Sequence, residues 1–169
     1  MKISTTLAIL ILGASASLCE AGFQDFQGNT WDLINGYVTC NGQPQNSNNT
    51  TNAHIGFARN AKGRIYSLHN DGTLYLWAGP GQAQALNNMP QNPHRELTCD
   101  LFGNVYSRHT DGTIYLWNNA NPKTASALNN SNNPHDVLFH RNGRVYSHHQ
   151  NDNVWYIWNG TNGQITNSP

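Results

Sequence analysis

Between Val105 and Trp117 the chain alternates. Val105, Ser107 and His109 fall on one side of an extended segment and Tyr106 and Arg108 on the other; after Asp111-Gly112, Ile114 and Leu116 fall opposite Tyr115 and Trp117. A period of two in β-branched and aromatic residues on both sides of Asp-Gly predicts a hairpin, because the turn needs positive φ and Gly with Asp or Asn tolerates it. The same split holds for Ile65, Ser67 and His69, and for Leu74 and Leu76 against Tyr75 and Trp77. Both faces carry bulky apolar groups, which suits sheets stacked face to face and does not suit a lone sheet wetted on one side. No stretch beyond the leader described below has a helical period.

The hairpin is a repeat. "GRIYSLHNDGTLYLW" begins at Gly63, "GNVYSRHTDGTIYLW" at Gly103, and "GRVYSHHQNDNVWYIW" at Gly143 with one extra residue in its turn. A worn copy, "FQGNTWDLINGYVTC", runs from Phe26 to Cys40, with Asn35-Gly36 in place of Asp111-Gly112. A short strand is predicted before each hairpin ("HIGFAR", "ELTCDLF", "DVLFH"), and a polar segment after it has room for a weaker fourth. Units of about forty residues predict an all-β fold: a small β-propeller of about four units, near 22–52, 53–92, 93–133 and 134–169, within one domain, 22–169. A β-trefoil is the alternative.

Residues 1–21 predict a secretory signal peptide: Lys2, the apolar run Leu7 to Leu12, then small residues up to Ala21. The product is therefore expected outside the cell, with no membrane insertion. Nine Lys plus Arg balance nine Asp plus Glu, and charged residues are 11% of the chain, so no basic face for nucleic acid is expected. Sequons at Asn48, Asn49, Asn129 and Asn159 would accept N-glycans in a eukaryote. Beyond the leader, Cys40 and Cys99 suggest one disulfide in an oxidising compartment. In a four-bladed ring they would lie on opposite blades, beyond the reach of about 7 Å between Cα atoms. Either they stay as thiols, or they bridge chains, or the ring closes differently.

The pattern from Asp100 to Trp117, with its copies at Gly63 to Trp77 and Gly143 to Trp158, resembles the blades of tachylectin-2-like and tectonin-type propeller lectins. This resemblance implies a secreted, non-catalytic protein that recognises sugars, with one shallow site per blade or between blades.

Repetition points the same way, because equivalent weak sites gain avidity on a multivalent target such as a glycan array. Sugars need flat apolar faces, which Trp and Tyr supply, and planar donors and acceptors, which Asn, His and Asp supply. The connectors Asn92-Pro93-His94 and Asn133-Pro134-His135, and the related Asn52-Ala53-His54, are the candidate carbohydrate-binding loops, with Trp77 and Trp117 as candidate platforms. The competing reading makes Asn-Pro-His a turn whose His caps backbone groups, and makes the tryptophans and Tyr66, Tyr106 and Tyr146 packing residues. His69, His109 and His149 follow Tyr-Ser in three units, at hairpin tips too far apart to share one metal ion; they are expected as exposed turn residues or acid-sensitive groups. No cofactor is expected. No nucleophile motif occurs, and Glu96 is the one Glu beyond the leader, so a carboxylate pair would need Asp100, Asp111 or Asp136. The expected partners are glycans or glycoproteins, with a homo-oligomer as a further option; a self-associating extracellular coat protein is the alternative function.

Overall fold

The computed structural model describes residues 22–45, 53–87 and 91–169. The leader and Asn48, Asn49 and Asn52 lie outside the described residues. Among these residues sixteen strands form four separate four-stranded sheets, each a meander in chain order. Blade 1 holds β1 (Phe23–Gln24), β2 (Thr30–Ile34), β3 (Tyr37–Cys40) and β4 (Gln43–Pro44). Blade 2 holds β5 (His54–Arg59), β6 (Ile65–His69), β7 (Leu74–Trp77) and β8 (Ala83–Asn87). Blade 3 holds β9 (His94–Cys99), β10 (Val105–His109), β11 (Ile114–Trp117) and β12 (Ala125–Ala127). Blade 4 holds β13 (His135–Arg141), β14 (Arg144–His149), β15 (Val154–Asn159) and β16 (Asn162–Thr166).

The copied segments are the two middle strands. Val105 pairs with Trp117 and Arg108 with Ile114, and the same register joins Ile65 to Trp77 and Leu68 to Leu74. Gly72 and Gly112, at φ 88° and 81°, occupy the turn position that the Asp-Gly pairs predict; in the worn first copy Asn35 and Gly36 both have positive φ. The polar segments after the tryptophans do form strands, β8, β12 and β16.

The blades stack face to face, as the double-sided apolar pattern requires. Trp31, Val38 and Cys40 of blade 1 pack on Phe57, Ile65 and Trp77 of blade 2. The other face of blade 2, Tyr66, Leu68, Leu74 and Leu76, packs on Cys99, Val105 and Trp117 of blade 3. Tyr106 and Ile114 of blade 3 then meet Leu138, Val145 and Trp158 of blade 4. The first strands lie innermost, with β5 against β9 and β9 against β13. Four separate sheets packed around a common axis are the blades of a β-propeller; a trefoil would merge its strands into one barrel.

Among the described residues Cys40 and Cys99 are not bonded to each other, so the pairing within the chain suggested by two thiols in an oxidising compartment is not made, as their places on opposite blades imply. Blade 2 stands between their blades, and each is buried in a different apolar cluster. Burial raises the Cys40 thiol above its ordinary value.

Candidate functional site

Each of blades 2, 3 and 4 begins with a histidine, and the backbone places it. The His54, His94 and His135 N–H groups donate to the turn carbonyls of Gly36, Gly72 and Gly112 in the preceding blade, at 2.9, 3.1 and 3.0 Å. This bond pulls the first residue of the inner strand into the junction between blades. A register shift beside each pair then sets His54 opposite His69, His94 opposite His109, and His135 opposite His149.

The three pairs share their surroundings. His54 and His69 lie 5.2 Å apart by ring centroids, His94 and His109 4.0 Å, and His135 and His149 5.2 Å. Tyr75, Tyr115 and Tyr156 pack on them at 5.7, 4.5 and 5.4 Å. Trp77, Trp117 and Trp158 lie behind, with their indole N–H groups donating to Ser67, Ser107 and Ser147 Oγ at 2.8, 2.9 and 2.8 Å. Asp71 closes the first cluster by contacting His69 Nδ1 at 2.8 Å, and Asp152 does the same for His149. The Nε2 atoms of His94 and His109 are 3.1 Å apart, so one imidazole donates and the other accepts.

His54, His94, His109 and His135 are held toward the neutral form in an aromatic setting. Burial, reinforced by the facing histidine, pushes His54 down to about 4, His94 to about 3 and His135 to about 4. Burial also lowers His109. His148, on the surface of blade 4, is raised by its hydrogen bond to Asp136.

Clefts lie at two junctions, and the one between blades 2 and 3 is lined by a histidine pair. A cleft of about 200 Å³ separates Leu86 of β8 from His94, His109, Tyr115, Trp117 and Ala125 of blade 3, with Lys123 at its edge. Another cleft, of about 390 Å³, lies at the inner ends of the blades, where Phe23, Arg59, Cys99 and His140 converge with the loop Asp100 to Gly103. Phe26, Leu101 and Phe102 stand 68%, 68% and 72% exposed on the loops that follow the inner strands. Among the described residues no group of three His, Cys, Asp or Glu is arranged to hold a metal ion.

The expected site residues separate into two classes. His54, His94 and His135 are strand residues, 6%, 1% and 3% exposed, and not members of surface loops. Trp77 and Trp117 are buried as well. His94 and Trp117 reach the cleft beside blade 3, whereas His54, His135 and Trp77 line none of the clefts described above. Asn92 binds Asp111 through both ends of its amide, at 2.8 and 3.2 Å, while Asn133 is exposed. His69, His109 and His149 are buried, which corrects the expectation of exposed turn residues: each is the far member of a cross-strand pair. Asn129 is also engaged, since its Nδ2 donates to Gly112 O and Asn133 O at 2.9 and 2.7 Å, whereas the Asn159 sequon is exposed. Sequence reasoning missed the histidine pairs, Tyr115, Lys123 and Leu86. The fifteen-residue spacing of His54 to His69 and of His94 to His109 was the available signal.

No family model matches the chain, and no curated protein does. Solved structures share its fold. It is similar to YCF48 bound to D1 peptide (12% identity over 81% of this chain and 49% of that one, TM-score 0.51). It is also similar to the computationally designed Ika8 protein (20% identity, 82% and 45%, TM-score 0.51) and to human WBSCR16 (10% identity, 88% and 50%, TM-score 0.53). The chain spans about half the length of each. At such identities the likeness concerns architecture alone.

Proposed function

We propose that this chain is a secreted, non-catalytic carbohydrate-binding protein whose weak site lies at the junction of blades 2 and 3. The observation that carries this reading is the threefold set of His pair, Tyr, Trp and Ser, which opens at blade 3 into a cleft of about 200 Å³. Tyr115 offers a ring to the C–H face of a sugar and Lys123 a polar partner to its hydroxyls, while the buried His109 packs behind Tyr115 at 4.5 Å. Burial holds His94 and His109 toward the neutral form, so Lys123 is the charged side chain among those lining this cleft. Within one chain only the blade 3 histidine pair lines a described cleft, so avidity on a glycan-coated surface would come from joining copies of the chain.

A glycan array probed with the secreted chain tests this. Selective binding, competed by a free monosaccharide and weakened by Lys123→Ala and Tyr115→Ala with the fold intact, is the expected result. Absence of binding across the array would overturn it. A self-associating coat protein is the second reading, favoured by the exposed Phe26, Leu101 and Phe102. It predicts open-ended assembly without glycan selectivity.

A further inference from the structure

The three blade junctions repeat one contact. The loop after each inner strand lies across a glycine of the next blade: Phe26 over Gly63, Ala61 over Gly103, Leu101 over Gly143. A Cβ at those glycines would come within 2.8, 2.2 and 2.1 Å of the covering residue. Ala61 N–H donates to Gly103 O at 3.1 Å and Leu101 N–H to Gly143 O at 3.0 Å.

Blade 1 carries the same receiving loop, with no described residue lying across it. Gly28 N–H donates to Asp25 O at 3.1 Å, as Gly103 N–H does to Asp100 O. Asn29 Nδ2 donates to Asp25 Oδ2 at 2.9 Å, as Asn104 Nδ2 does to Asp100 Oδ2 at 2.7 Å. Gly28 has φ +84°, yet among the described residues nothing lies within 4 Å of a Cβ built there. At the other end of the stack, blade 4 presents Phe139, Tyr146, Trp155 and Ile157 only half-buried. Their counterparts facing the next blade, Tyr66 and Leu74 in blade 2 and Tyr106 and Ile114 in blade 3, are 0% exposed. No apolar core cluster of the described residues joins blade 4 to blade 1.

We propose that these two edges are covered by a second copy of the chain. Blade 4 of each copy docks on blade 1 of the other, and two such contacts close a ring of eight blades, four from each chain. The interface would reuse the stacking already present at three junctions within the chain. A contact of this head-to-tail kind closes when its rotation fits and otherwise runs on as a filament. Closure by two copies fits because more than four-fifths of the chain superposes on only 45–50% of solved structures of the same architecture, so the arc is about half a ring. Charge agrees: Asp32 alternates with the inward Trp31 and Leu33 and so faces the open side of blade 1, where it would meet Arg141 and Arg144 of blade 4. Arg141 holds the position of Ala61 and Leu101, which places its backbone over Gly28 of the second copy.

Sedimentation equilibrium and light scattering on the secreted chain should give the mass of a dimer. Ile34→Arg on blade 1 and Ile157→Arg on blade 4 should each yield folded monomers, as read by circular dichroism. The double variant Gln27→Cys, Arg141→Cys should cross-link on oxidation to a covalent dimer that runs no higher on a non-reducing gel, while neither single variant does so. A monomeric mass, a ladder of longer polymers, or a dimer unaffected by either arginine would overturn the proposal.

Discussion

Ser107 is fully buried, and its hydroxyl receives the indole N–H of Trp117 at 2.9 Å. The same bond recurs at Ser67 and Ser147, so this Ser answers a requirement set by the tryptophan: a buried N–H must be paired. Ser107→Ala should cost about 1–3 kcal/mol in denaturant unfolding, because it leaves the donor unpaired. A smaller cost shared with Ser107→Thr would show that the bond is not what matters. The cysteines give a second test at this scale. Cys40 and Cys99 are 3% and 5% exposed, so a thiol reagent should label both only after unfolding. Rapid labelling of the native protein, or no labelling without reductant, would contradict the structure.

The elements obey the close approach of backbones at the junctions. Gly81 and Gly103 both have positive φ, but among the described residues a Cβ at Gly81 meets nothing within 4 Å, whereas one at Gly103 meets Ala61 N at 2.2 Å. Gly81→Ala should therefore cost about 1–2 kcal/mol for the left-handed backbone alone. Gly103→Ala must also push two blades apart, and its thermal midpoint should fall well below that of Gly81→Ala; equal shifts would argue against the junction as drawn. What the sequence revealed follows from the same elements. The middle hairpins were legible because period-two alternation and an Asp-Gly turn both act within fifteen residues. The short strands β1 and β4, two residues each, left no period to read. The histidines were placed in connectors because their neighbours are Asn, Pro and Ala. Only the hydrogen bond to the preceding blade turns them inward, and that contact is set by tertiary packing. Their pairing in turn depends on register shifts, such as the one between His54 and Gly56, which no spacing rule specifies.

At the scale of the whole molecule, the buried histidines tie stability to pH. His54, His94 and His135 have folded values near 4, 3 and 4, against an ordinary 6.5 for the unfolded chain. The unfolded state therefore binds more protons throughout the interval between these values. Stability is complete above about pH 6.5 and falls as pH drops toward 4, with a slope approaching about 1.4 kcal/mol per pH unit for each such histidine. His148 acts in the opposite sense, since its raised value favours the folded state in mild acid; its exposure to solvent keeps that contribution small. Asp71, Asp111 and Asp152 are held below 3.8 by their hydrogen bonds, so their loss belongs to a more acid range and does not confuse the interval above 4. Urea midpoints measured from pH 7.5 to 4.5 should fall steadily, and His94→Gln should flatten the curve by about one histidine's slope. A wild-type midpoint that holds constant from pH 7 to 5 would mean that these imidazoles are not buried as neutral groups, and the blade junctions would have to be rebuilt around charged ones.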